Sequence, residues 1–225
     1  MASTYETGCV QNVANFETLI SYITAFGADY NPSKTSLKIP ELQKILSDAK
    51  VSLNAVNVAF SAHSNAIAAR ESAFEPLSKL VTRVNNALKA TDTTTQVDDS
   101  AKTIVRKIQG TRASAKLTEE QKQALAAEGK EVNQVSASQM GFNDRIENFD
   151  KLITLLSSIP NYAPNEEELK IESLTAYLND LKSKNAAVLP LEVQLSNARI
   201  LRNDIQDRPL TGLIDAALDS KVYIK

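Results

Sequence analysis

The chain contains one segment twice. Residues 15–56 begin NFETLISYITAF, pass through YNP and continue LKIPELQKILSDAKVSLNAV. Residues 148–188 begin NFDKLITLLSSI, pass through YAP and continue LKIESLTAYLNDLKSKNAAV. With one single-residue gap, 15 of 42 aligned positions are identical. A unit repeated in this way is one that buries its apolar face against its twin. The repeat runs on more faintly, because Pro209-Leu210-Thr211 and Leu213-Ile214 echo Pro76-Leu77-Ser78 and Leu80-Val81.

Each copy reads as two helices joined by a Tyr-x-Pro turn. The first helices carry apolar stripes at helical spacing: Cys9, Val13, Phe16, Ile20 and Ile23 in copy one, and Phe142, Ile146, Phe149, Ile153 and Leu156 in copy two. Gly27–Ser36 and Pro160–Glu168 supply the breakers between them, with Asn165 as an expected N-cap ahead of Glu166, Glu167 and Glu168. In the long arm of copy one, alternating steps of four and three pick out Leu42, Leu46, Ala49, Leu53, Val56, Phe60, His63, Ile67, Arg70, Phe74, Leu77, Val81, Val84 and Leu88. Twelve of these 14 are apolar, which predicts a coiled-coil-like seam on a helix of roughly 70 Å. Pro40 suits its first turn, and Pro76 should kink or split it. Copy two carries a looser seam (Leu174, Leu178, Leu181, Asn185, Val188, Glu192, Leu195, Arg199, Arg202), with a further kink expected at Pro190. Copy one is therefore expected to supply most of the core, and the more polar arm of copy two to face solvent or a partner.

Between the copies, TDTTTQVDDS reads as a polar break and AKTIVRKIQGTR as a short helix ending at Gly110. A further helix is expected from Thr118, with Glu119 and Glu120 in its first turn. The expected divisions are 1–90 (hairpin copy one), 91–131 (connection) and 132–225 (hairpin copy two), within one continuous bundle domain. Only 6 glycines in 225 residues argue against a turn-rich β fold. The expected fold is all-α: an elongated antiparallel helical bundle of two duplicated αα-hairpins with very long second arms.

The composition removes several kinds of function. A net charge of −2 gives no global field for nucleic acid or membrane. No run of about 18 apolar residues is present, so membrane contact is not expected. MASTYETGCVQNVANF has neither the basic nor the apolar region of a secretory signal, so the expected location is cytoplasmic, with signal-independent export left open. The single cysteine, Cys9, excludes an internal disulfide and reads as a small apolar residue of the first helix. The single histidine, His63, sits on the seam and reads as a packed, hydrogen-bonded core residue. No Gly-rich phosphate loop, nucleophilic triad or paired-carboxylate motif is present, so no enzyme activity, cofactor or metal is expected.

Three features remain as interaction candidates. Arg70 and Arg202 occupy matching seam positions, each preceded by the same Asn-Ala pair (Asn65-Ala66, Asn197-Ala198). Each should pair with a carboxylate such as Glu71, Glu75 or Asp204; the alternative is an anion or small-ligand site between the halves. Tyr30-x-Pro32 and Tyr162-x-Pro164 recur in the turns, where the tyrosine either locks the loop through its hydroxyl or offers a recognition surface at the tip. Lys102, Arg106, Lys107, Arg112 and Lys116 form a basic cluster without interleaved aromatics, which reads as a solvated face and not a nucleic-acid platform.

The pattern NF-x-x-LI, Tyr-x-Pro and LK-I, repeated around a central RKI-x-G-x-R-x-S (Arg106 to Ser114), resembles a group of bacterial all-helical proteins built on this duplicated unit. No activity is attached to that group, so the resemblance implies a fold and transfers no functional residue. A long-helix bundle is also loosely similar to α-helical pore-forming toxins of the haemolysin BL and cytolysin A type. Those carry a strongly apolar tongue, and this chain has no such segment. The expected function is a non-catalytic structural or interaction protein. It would bind a protein partner or itself, as an oligomer or filament, through long helix faces and Tyr-x-Pro tips. The alternatives are a membrane-acting helical effector and a small-ligand binder near Arg70 and Arg202.

Overall fold

The computed structural model describes residues 4–111, 118, 123, 127 and 140–224. Arg112, Lys116, Glu119 and Glu120 lie outside them, as does most of the helix expected from Thr118. The described residues form an all-α bundle and no strand: α1 Thr4–Ala25, α2 Ile39–Phe74, α3 Leu77–Lys89, α4 Thr95–Gln109, α5 Phe142–Ser157, α6 Ile171–Asp207 and α7 Leu213–Ile224. The apolar stripe of α1 is buried at all five positions from Cys9 to Ile23. The stripe of α5 is buried at Phe149, Ile153 and Leu156 and half-buried at Phe142 and Ile146. α4 ends where expected, at Gly110, whose φ of 69° places it in the left-handed region that favours glycine.

The duplication is reproduced in backbone detail. Each long helix is entered through a single 3₁₀ turn, Thr35–Leu37 or Glu167–Leu169. One extended lysine follows each turn, Lys38 (φ −64°, ψ 143°) and Lys170 (φ −66°, ψ 146°). The Leu42 and Leu174 amides donate to the carbonyls of Lys38 (3.1 Å) and Lys170 (3.0 Å). One cross-hairpin ion pair also recurs, Lys50–Glu17 at 2.6 Å and Lys182–Asp150 at 2.8 Å. Asn165 does not cap the long helix, because the 3₁₀ turn and Lys170 intervene and the helix begins at Ile171.

The two prolines of the long arms act differently. Pro76 splits the seam: α2 stops at Phe74 and α3 starts at Leu77, so no single helix reaches Leu88. Side chains from copy two satisfy the carbonyls at this break. The Tyr177 hydroxyl donates to Ala73 O (2.6 Å), and Arg145 Nη2 donates to Phe74 O (3.3 Å). Pro190 stays inside α6, which runs for 37 residues, or about 55 Å. Ala186, whose carbonyl loses its donor there, is an exposed residue.

The chain forms two compact units, and their boundaries ignore those of the copies. A split unit comprises 1–66 and 188–225, and a continuous unit comprises 67–187; the divisions fall inside α2 and α6. The split unit joins the hairpin of copy one to the tail of copy two, with α7 packed on α1 and on the Thr35–Leu37 turn. The continuous unit joins the hairpin of copy two to the tail of copy one. There α3 packs on the Glu167–Leu169 turn, and α4 packs on α3 and α5. Each tail helix therefore completes the other copy's hairpin. An ion pair seals each junction, Lys34–Asp219 (2.5 Å) in the split unit and Arg83–Glu168 (2.7 Å) in the continuous one.

Each unit has its own core. Val13, Phe16, Ile23, Leu42 and Leu213 centre the split unit, and Leu77, Val81, Ile108, Phe149, Leu156 and Leu181 centre the continuous one. Copy one does not supply most of this burial. Leu174, Leu178 and Leu181 of copy two are buried, whereas Phe60 of the copy-one seam is exposed and Ile67 half-buried. A heptad stripe is buried only where another element lies over it.

Candidate interaction surfaces

The Tyr-x-Pro turns are locks. In both copies the tyrosine is buried and its hydroxyl donates to the carbonyl seven residues on, Tyr30 to Leu37 O (2.8 Å) and Tyr162 to Leu169 O (3.0 Å). Each bond ties the loop to the 3₁₀ turn that launches the long helix. Pro32 is buried and Pro164 half-buried.

Burial, with Glu166 nearby, raises the Tyr162 pKa to about 12; burial also raises that of Tyr177 to about 12, against the pull of Arg145. Folding thus favours the protonated phenol, so this stabilisation is complete below pH 10 and is lost as pH rises towards 12. Ultraviolet titration of the phenols should show these two ionising late, and unfolding of the continuous unit should become easier over that window. Tyr162→Phe should remove one late phenol and cost about 1–2 kcal/mol in urea melts, because Leu169 O loses its donor in a buried site.

Arg70 and Arg202 are not brought together in one unit, since Arg70 belongs to the continuous unit and Arg202 to the split one. Arg70 pairs with no carboxylate among the described residues. Its guanidinium lies 4.0 Å from the centroid of the Phe142 ring, and Nη1 donates to Asn185 Oδ1 at 3.4 Å. Phe142 meets Phe74 edge-on at 4.9 Å, and Arg145 lies over Phe74 at 5.3 Å. The Phe142 ring and the Asn185 amide stand where a carboxylate was expected, and Arg70 Nε is buried without a hydrogen-bond partner among the described residues. Desolvation lowers the Arg145 pKa from its ordinary value. Arg202 is buried and donates from Nε (3.2 Å) and Nη2 (3.1 Å) to Asn203 Oδ1, while Asp204 pairs with Arg208.

The other singled-out residues divide by burial. Cys9 is buried, and its carbonyl accepts from Gln206 Nε2 at 3.2 Å. His63 is only half-buried and finds no hydrogen-bond partner among the described residues, because the seam around it is incompletely covered. Lys102 is exposed on α4, with Arg106 and Lys107 half-buried beside it. Among the described residues, no group of three His, Cys, Asp or Glu side chains is placed to hold a metal ion, and no helix is long and apolar enough to cross a membrane.

What sequence reading missed is the uneven spread of exposed apolar side chains. Among the described residues, Met140 is the one large apolar side chain exposed in the continuous unit; the rest, from Val10 to Ile224, belong to the split unit. Three helical stripes account for many of them: Tyr22 on α1 with Phe26 just past its end, Val51 and Val58 on α2, and Leu189, Val193 and Ile200 on α6. Near the first stripe, a depression of about 360 Å³ is lined by Phe26, Asp29, Tyr30, Tyr223 and Ile224, with Tyr223 edge-on to Tyr30 at 5.3 Å. At the corresponding end of the continuous unit, a depression of about 480 Å³ is lined mainly by polar groups, among them Asp92, Asn161, Asn165 and Glu166.

No family model matches the chain, and no curated protein or solved structure is significantly similar to it.

Proposed function

We propose that this chain is a non-catalytic interaction protein that associates with further copies of itself through a long helix face of its split unit. The observation behind this reading is the concentration of exposed apolar side chains in that unit. Leu189, Val193 and Ile200 follow one another at four and seven residues, so they share one face of α6. Helices bury stripes of that spacing against other helices. A second copy offers the same stripe, and pairing about a twofold axis would bury both at once.

Light scattering across a concentration series tests the idea. Mass should rise with concentration for the wild-type chain, and Ile200→Lys should hold it at the monomer. A wild-type chain that stays monomeric at every concentration would sink the reading.

A further inference from the structure

The two copies part company in chemistry just after the first helix of each hairpin. The single-residue gap of the repeat falls there: copy one has Gly27-Ala28-Asp29 before its tyrosine, and copy two has only Pro160-Asn161. In copy one the Asp29 amide donates to Phe26 O at 3.2 Å, closing a turn that brings Phe26 and Asp29 close together. Copy two has no carboxylate in the matching stretch, and Ile159 stands where copy one has Phe26.

The tail helices differ at the same end. The buried Leu213, Ala216 and Ser220 of α7 match the spacing of Val81, Val84 and Leu88 on α3, and that register sets Tyr223 against Thr91. The tyrosine lock, Tyr30 or Tyr162, is common to both ends. The split unit thus carries two further rings that its twin folds without, and both are open to solvent, Phe26 at 46% and Tyr223 at 45% exposure.

These rings, with Tyr30 and Asp29, line the depression of about 360 Å³, which is within the size range of small-ligand clefts. The hydroxyl bond to Leu37 O (2.8 Å) holds the Tyr30 ring in place. The Tyr223 ring stands at 89° to it, with centroids 5.3 Å apart, so the two form a fixed corner. Asp29 is exposed and has no ion-pair partner among the described residues. Lys34, a cation of the same loop, is already paired with Asp219 at 2.5 Å.

We propose that this corner binds a quaternary ammonium group such as choline carries. Aromatic faces attract a cation whose charge is spread over methyl groups, and Asp29 supplies the counter-charge. A methylated ammonium has no N–H to satisfy, so walls made of rings do not penalise it. A primary ammonium would exchange its water for a single carboxylate. A metal ion would need several oxygen ligands, and among the described residues no three His, Cys, Asp or Glu side chains are grouped to hold one. The site uses no residue of the α6 stripe and does not depend on self-association.

The probe is choline, titrated into the full chain by isothermal calorimetry. Saturable binding is expected. Neohexyl alcohol, the uncharged analogue with carbon in place of nitrogen, should bind about tenfold more weakly or worse. Phe26→Ile and Tyr223→Thr put the twin unit's residues at exposed positions, so both variants should keep the wild-type circular dichroism. Each should weaken choline about fivefold, the worth of one cation–π contact at a partly exposed ring. Asp29→Asn, nearly identical in shape, should also weaken choline and leave the alcohol unaffected. Ile200→Lys should leave choline binding unchanged, so failure of self-association and failure of this site are read separately. Sedimentation with phosphatidylcholine vesicles, lost in Tyr223→Thr, would assign the ammonium to a lipid headgroup; choline binding without sedimentation would assign it to a free solute. Absent saturation, equal binding of choline and the alcohol, or binding indifferent to all three site variants would overturn the proposal.

Discussion

Phe149→Ala is expected to lower the unfolding free energy of the continuous unit by about 3–5 kcal/mol, the cost of emptying a fully buried aromatic site. Phe149 is 0% exposed, and it meets Tyr177 edge-on at 5.8 Å. The cavity would open among Leu152, Leu156 and Leu181, all inaccessible, so little can move in to fill it. The repeat provides an internal comparison in Phe16, which also lines an open groove between α1 and α7. Phe16→Ala should fall at the lower end of the range, because neighbours at an open groove can relax into the space. Urea unfolding followed by circular dichroism measures both. A Phe149→Ala protein as stable as wild type would contradict the core described above.

The second large effect is expected at Gly212, in the turn between α6 and α7. A β-carbon there would lie 2.6 Å from Arg208 O, 2.7 Å from Arg208 N and 2.8 Å from Gln206 O. All three are backbone atoms and cannot swing aside. The Gly212 amide also donates to Arg208 O at 2.7 Å, which holds the two strands of the turn together. Gly212→Ala should therefore cost about 3 kcal/mol, as overpacking does, and loosen α7 from α1. Gly8 is the contrasting case, a helical glycine with nothing within 4 Å of its would-be β-carbon. Gly8→Ala should stabilise by about 1 kcal/mol, the helix-propensity difference. Opposite shifts in thermal midpoint for the two variants would bear this out, and a neutral Gly212→Ala would refute the steric account.

Much of the local architecture was legible in the sequence, since it follows from short-range rules. The spacing of the stripe from Cys9 to Ile23, the end of α4 at Gly110 and the turn-locking Tyr30 and Tyr162 all depend on residues close by in the chain. The misreadings share one cause, which is that periodicity names a face without saying what lies opposite it. Phe60 has the right spacing for a seam, yet it is exposed. Arg70 looked in need of a carboxylate, and its partner is the ring of Phe142, 72 residues away in sequence. Pro76 and Pro190 are the same residue in similar arms. Tyr177 and Arg145 satisfy the carbonyls freed at the first break, whereas at the second Ala186 and Pro190 are exposed residues of an unbroken helix. The interaction surface was hidden for the same reason. Tyr22 and Leu155 are both ordinary helix-face residues in sequence, yet Tyr22 is exposed and Leu155 is half-buried against the core of its unit.

The exchange of tails also sets an order in time. Every residue of the continuous unit lies between 67 and 187, so a ribosome that has released that stretch has released a complete unit. The split unit has no such independence. Its hairpin is made early, but Leu213 and Ala216, which close its core, are translated well over a hundred residues later. Closing so distant a contact is entropically costly and slow, and the nascent hairpin keeps Phe16, Ile20 and Leu42 in need of cover meanwhile. The hairpin of the split unit, made before the continuous unit, thus finishes folding after it, and it is the part more exposed to chaperones and to aggregation on the way.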